Sequence, residues 1–159
     1  LQHAFLLLLA VAATASARIG ETVEQLDTRF GKPVRTTAGP TGAARFEKRT
    51  YKSDGLEIAV FVYVGRSHQE IYKKPDGELT PEQVQKILAD NSFGSQWERT
   101  SFEVEASTYT LAKRLTAYHD HLRGGLLIKS AEYDGVSNNF DRIVRQEREE
   151  DAKAGGEKK

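Results

Sequence analysis

An α+β domain, with two helices packed on one face of a single antiparallel sheet, is the fold class this sequence predicts. Three observations predict it. Two segments carry complete helix-start signals. Each is followed by runs of alternating apolar residues punctuated by turn signals. The strongest run, Leu56 to Val64 (LEIAVFVYV), is β-branched and aromatic throughout.

The first helix reads from Thr22 to Pro33. Thr22 suits the N-cap, and Gln25 three positions on completes a capping box. Val23, Leu26 and Phe30 share one helical face, Gly31 suits a C-cap, and Pro33 prevents continuation. Val34 to Ala44 is rich in Gly, Thr and Pro and reads as a loop. Arg45 to Tyr51 alternates weakly as a strand, Ser53-Asp54-Gly55 is a turn, and Leu56 to Val64 follows. Leu56, Ile58, Val60, Val62 and Val64 lie on one face of that strand. Glu57, Ala59, Phe61 and Tyr63 lie on the other. Ser67 to Lys74 returns antiparallel, and Pro75-Asp76-Gly77 closes the unit.

A second helix follows at Leu79 to Ala89, with Thr80 as N-cap, Pro81 in the first helical position and Gln83 closing the box. Val84, Ile87 and Leu88 are its apolar stripe. Trp97 to Ala106 alternates as a strand, and Trp97 reads as core. Tyr109 to Leu122 and Leu126 to Tyr133 read as a hairpin turning at Arg123-Gly124-Gly125. Thr22-x-Glu24-Gln25-Leu26 and Thr80-x-Glu82-Gln83-Val84 match at an offset of 58, as do Asp76-Gly77 and Asp134-Gly135. The expectation is therefore one domain over 18–140, built as a tandem repeat of about 19–77 and 78–136. From Asp141 onward 12 of 19 residues are charged, six of each sign. Beyond a last helical turn at Ile143 and Val144, 141–159 reads as a solvated helix end and a disordered tail.

The start of the chain has a different character. Phe5 to Ala13 (FLLLLAVAA) is unbroken apolar sequence, and Ala15-x-Ala17 is the small-x-small pattern that a signal peptidase accepts. Residues 1–17 read as a secretory signal peptide from a truncated reading frame, with Arg18 opening the mature protein. The run is shorter than the roughly 20 residues of a membrane span. A buried core helix is the alternative. The chain has no cysteine, which excludes disulfides, thiolate zinc sites, thiol catalysis and a lipidated cysteine anchor. With 23 basic and 23 acidic residues, it has no charge excess to favour nucleic acid or an anionic membrane.

The segment Gly20-x-Thr22-x-x-Gln25-Leu26-x-x-x-Phe30-Gly31-x-Pro33 resembles the opening helix of the small-protein-A/outer-membrane-lipoprotein family, the BamE-like domain. The doubled arrangement is similar to the β-lactamase inhibitory protein fold. The resemblance implies helices on one side of an antiparallel sheet and action by binding proteins. It does not imply an anchor or a partner.

His119-Asp120-His121 is the pattern with metal-ligating chemistry, since on a strand both imidazoles point to one face. His68, with Glu70 on its own face, is a further candidate ligand from the other unit. Surface histidines at a strand end are the alternative. Ser107 and Ser130 are available hydroxyls, but neither sits in a nucleophile motif, and no phosphate loop is present. No catalytic residue and no cofactor is therefore assigned. Phe61, Tyr63 and Tyr118 are candidate partner-binding residues, on the reasoning that the mixed face of the sheet looks outward. A tail or loop covering that face is the alternative. The leading expectation is an exported, non-enzymatic protein-binding domain of the cell envelope, periplasm or medium. A secreted small-ligand or metal-binding protein using His119 and His121 comes second, and a hydrolase of unknown type third.

Overall fold

Capping defines the first two helices. Thr22 Oγ1 accepts the Gln25 N–H at 3.4 Å and Gln25 Oε1 accepts the Thr22 N–H at 2.9 Å, opening α1 (Val23–Phe30). Thr80 and Gln83 repeat the exchange at 3.3 and 2.9 Å, with Pro81 in the first turn of α2 (Pro81–Asp90). The structure, a computed structural model, describes residues 18–39, 45–135 and 137–156. The signal-peptide reading of 1–17 lies outside the described residues.

The remaining elements are β1 (Arg35–Ala38), β2 (Phe46–Ser53), β3 (Leu56–Tyr63), β4 (Arg66–Lys73), β5 (Glu98–Phe102), β6 (Ala106–Leu111), β7 (Leu115–Asp120), β8 (Gly125–Ser130), a 3-10 turn (Ala131–Gly135) and α3 (Ser137–Gly156). The fold is α+β, with three helices and one eight-stranded antiparallel sheet in the order β1-β2-β3-β4-β8-β7-β6-β5. β4 pairs with β8 at the centre, with Tyr72 opposite Leu126 and Gln69 opposite Lys129.

The main core lies between the sheet and the α1–α2 layer. Leu26 of α1 and Val84, Ile87 and Leu88 of α2 pack on Tyr51, Ile58, Val60, Ala117, Leu126 and Ile128. Strand alternation sends these residues one way and Ala59, Phe61 and Tyr63 the other. Trp97 packs against this core and donates its indole N–H to the Leu88 carbonyl at 2.6 Å. Chain entry is tied to the same layer: Asn91, fully buried, accepts the Ile19 N–H at 3.2 Å and donates to the Ile87 carbonyl.

The structure differs from the sequence reading in four places. β1 lies where a loop was expected; it is a polar edge strand held to β2 by its ladder, and nothing apolar advertises it. Tyr109 to Leu122 is not one strand. The three residues Ala112 to Arg114 turn β6 into β7, with Ala112 and Lys113 both at positive φ (47° and 58°) and neither the Gly nor the Asn that this conformation favours. The expected tail is helical to Gly156, because Phe140, Ile143 and Glu147 recur at helical spacing on a buried seam. Finally, the helices are not all on one face: α3 packs on the opposite side of the sheet from α1 and α2.

That last difference bears on the tandem-repeat reading, which is corrected. The two halves share a helix-then-strands order but are closed differently. α1 ends at Gly31 with φ 82°, whereas α2 ends at Asn91 with φ −95°. α3 lies over β1 and β2.

One glycine is required by a close approach. Gly124 has φ +62°, and a Cβ there would lie 2.6 Å from Glu78 Cα, beside the hydrogen bond from the Leu79 N–H to the Gly124 carbonyl. Gly124→Ala is expected to lower the unfolding free energy by about 2 kcal/mol, measured by urea denaturation. Gly55→Ala, in open space at φ +74°, carries the backbone penalty without the clash and serves as the control.

Candidate functional site

The outer face of the sheet is the surface turned away from α1 and α2. α3 closes it over the first four strands. Phe140 and Ile143, both fully buried, pack on Phe61, with Phe46, Ala59, Tyr63, Ile71, Tyr133 and Val144 around them. Phe140 lies 5.0 Å from the Phe61 ring and 5.5 Å from that of Phe46, while Tyr63 stacks on Phe46 at 4.4 Å. Glu147, also buried, accepts from Thr37 Oγ1 at 2.5 Å and from Lys48 Nζ, and Arg35 reaches Asp151 at 3.0 Å. Phe61 is 2 % exposed, so the expectation that it faces outward is corrected: the helix read as a tail is its cover. Tyr63 is half-buried in the same cluster. Tyr118, opposite Thr108 and Leu127 on the β5–β8 half, is 43 % exposed.

Beyond Tyr118, at the end of that half, two loops meet. The His121 N–H donates to the Glu105 carbonyl at 2.9 Å, joining the β5–β6 turn to the β7–β8 turn. Three apolar side chains crown this tip: Phe102 at 67 %, Val104 at 91 % and Leu122 at 70 % exposed. The Phe102 ring is edge-on to His121 at 6.0 Å, and Arg99 lies 5.1 Å from its centre. Asp120 fixes the second turn by accepting the Leu122 and Arg123 N–H groups at 3.0 and 2.9 Å. Those bonds lead the causes that hold its carboxyl below the usual range. Sequence reading missed these apolar residues. The available signal was Phe102-Glu-Val104-Glu, an apolar–acid alternation at a strand end with no opposing apolar strand to bury it.

The histidines are only partly assembled. His119 and His121 come together, ring centres 4.6 Å apart, while His68 sits at the far end of the sheet against Ser130 at 3.2 Å. Glu70, named beside His68, is instead buried with Arg29 and Tyr72. Among the described residues no group of three or more His, Asp or Glu side chains could hold a metal ion. Ser107 Oγ lies 2.9 Å from His121 Nε2, a nucleophile-to-base distance. The hydroxyl belongs to a residue only 1 % exposed, on a strand paired on both sides, and Asp120 is engaged by the turn backbone.

Burial lowers the His119 affinity for a proton, the His121 ring adds to this, and Asp120 and Glu78 oppose it. Burial acts the same way on His68, against Glu132. An imidazole depressed below its unfolded value of about 6.5 binds its proton more readily in the unfolded chain. Its contribution is therefore complete above that value and is lost as pH falls toward the folded one. His119→Gln is expected to flatten the fall in unfolding free energy between about pH 7 and about pH 5, read from urea midpoints at successive pH values. An unchanged slope contradicts this assignment.

The molecule's other polar concentration is structural. Arg29 of α1, its side chain 7 % exposed, donates to Glu70 at 2.8 Å and lies 3.0 Å from Glu21 and 3.8 Å over the Phe30 ring. Tyr72 donates its hydroxyl to Glu70, which is fully buried. Burial raises the pKa of Glu21, opposed by Arg29. The cluster pins α1 to β4.

No family profile and no curated protein sequence matches the chain. Among solved structures, it is similar to an extracellular protein containing an SCP domain from Bacillus anthracis str. Ames. That match has 15 % identity and a TM-score of 0.43, and covers 72 % of this chain and 44 % of that one. It is also similar to a cysteine-rich secretory protein from Staphylococcus aureus, at 9 % identity and a TM-score of 0.41, covering 72 % and 45 %. The chain spans less than half the length of either. No family profile matches, that of the BamE-like lipoproteins included, and the resemblance drawn from the first helix is corrected; neither structural neighbour is described as a BamE-like lipoprotein or a β-lactamase inhibitory protein. What that segment carries is a capping box and a glycine C-cap, local signals that helices of any family use. No helix among the described residues is long and apolar enough to cross a membrane.

Proposed function

We propose that this chain is an exported, non-enzymatic domain that binds another protein through the β5–β8 tip. Phe102, Val104 and Leu122 are the anchors, and Tyr118 extends the contact onto the outer face of the sheet. One observation carries the reading: three large apolar side chains, each more than 60 % exposed, lie at the end of β5 and on the two adjoining turns, which a backbone hydrogen bond ties together. Isolated exposed apolar residues are ordinary, but several large ones gathered at one end of a sheet mark an interaction site. The neighbouring His121 and Arg99 supply a polar rim. Export rests on the apolar run at Phe5 to Ala13 and the Ala15-x-Ala17 pattern.

The test is site-specific photo-crosslinking in envelope and secreted fractions of the source organism, with the reactive residue placed at Phe102, at Leu122, or at Lys86 on α2 as control. The proposal expects an adduct of one discrete mass at the first two positions and none at the third. No adduct at the tip, or the same pattern at all three, rejects it.

A further inference from the structure

The opposite end of the sheet holds a different kind of site. A cavity of about 380 Å³ opens between the β6–β7 turn, the start of β4, the end of β8 and the loop after α2. Its floor is apolar: Ile19, Leu111 and Leu115 are all buried. Its rim is basic: Arg66, Lys113 and Arg114 are exposed there, against a single carboxylate, Glu132. Phe93 forms one wall at 39 % exposure, with the Arg18 guanidinium 5.5 Å and that of Arg114 5.8 Å from its ring centre.

Backbone strain collects at the same place. Five non-glycine residues among those described have positive φ, and three of them, Phe93 (51°), Ala112 (47°) and Lys113 (58°), line this cavity. A turn with Ala112 and Lys113 at its positive-φ positions forgoes the residues that would relax it. Such strain persists where the surroundings demand the geometry and clusters at ligand sites. Here it sets Lys113 and Arg114 side by side at the mouth. His68, held against Ser130, has its affinity for a proton lowered by burial, with Glu132 opposing.

We infer that this cavity binds a small amphipathic anion, its apolar stem on Ile19, Leu111, Leu115 and Phe93 and its oxyanion head on Arg66, Lys113 and Arg114. The volume falls within the range of small-molecule sites. An apolar floor beneath a cationic rim selects for an anion with a stem over either part alone. The site is independent of the tip at the other end of the strands, so each can fail without the other.

The experiment is calorimetric titration of the whole chain with four probes: hexanoate, 1-hexanol, hexylammonium and inorganic phosphate. Hexanoate is expected to bind saturably. Hexanol and phosphate, which lack the head or the stem, are expected to bind at least about tenfold more weakly, and hexylammonium not at all. Added salt is expected to weaken hexanoate, since the rim is exposed. Lys113→Gln/Arg114→Gln, which changes only exposed side chains, is expected to weaken hexanoate by about tenfold or more with unchanged thermal stability. Equal affinity for hexanol and hexanoate, an unaffected double variant, or no saturable heat with hexanoate overturns the inference.

Discussion

Glu70→Ala is expected to lower the unfolding free energy by about 3–5 kcal/mol, the largest loss of any single polar replacement in this domain. The reason is what it leaves behind. Arg29 is nine-tenths buried, and Glu70 is the partner to which it donates. Two of its nitrogens, Nε and Nη1, already have no hydrogen-bond partner. Removing Glu70 leaves the guanidinium with Glu21 alone, whose own burial disfavours its charged form, and strips the Tyr72 hydroxyl of its acceptor. Against a typical domain stability of about 5–15 kcal/mol, such a loss is a large share of the whole. Arg29→Met/Glu70→Leu removes both charges together and is expected to cost less than Glu70→Ala alone, because no uncompensated ion remains. Urea denaturation of the three variants measures this. A double variant less stable than Glu70→Ala contradicts the assignment.

Phe140→Ala is the second large effect, and it is expected to act locally. Burial of the ring against Phe46, Phe61 and Tyr133 is worth about 3–5 kcal/mol. α3 has little else of its own. Its solvent side is charged, and a free helix of this length is marginal in water. The remaining ties are Ile143, Val144 and the Glu147 and Arg35 contacts, of which the Arg35 pairs with Glu150 and Asp151 are exposed and weak. The expected result is that α3 amides exchange hydrogen faster by about a hundredfold or more, while β3 and β4 keep most of their protection. Uniform acceleration throughout the chain would mean that α3 is instead integral to the global fold.

How much of this was legible in the sequence depends on how local each determinant is. The caps at Thr22 and Thr80 involve groups three residues apart, so sequence reading finds them. β3 is legible because its apolar density exceeds anything a loop carries. β1 is not, because a polar edge strand is defined by β2 rather than by its own residues. The Ala112-Lys113 turn was invisible for a sharper reason: its residues are the wrong ones for its conformation, and the pairing of Leu111 with Leu115 and the backbone bonds at Arg114 hold it. Alternation placed Phe61, Tyr63 and Tyr118 on the outer face, yet it cannot say what covers a face. α3, read as tail because of its charge, covers Phe61 and not Tyr118. His119 and His121 were correctly paired by strand spacing, whereas the position of His68 at the other end of β4 is a matter of topology. The tip at Phe102, Val104 and Leu122 comes from two turns meeting, which spacing along the chain does not reveal.

The central claim is that α3 shuts the outer face over Phe61, while Tyr118 on that face and Phe102 at the tip, on the His121 side of the sheet, stay open to a partner. Because the chain contains no cysteine, single-cysteine variants report on each position without background. The rate of thiol labelling should therefore be measured for Phe61→Cys, Tyr118→Cys and Phe102→Cys under native conditions, with circular dichroism confirming the fold. Tyr118→Cys and Phe102→Cys are expected to react at the rate of a free thiol, and Phe61→Cys about a hundredfold or more slowly, since it must await the opening of α3. Equal rates at the three positions, or protection at Phe102, would contradict it.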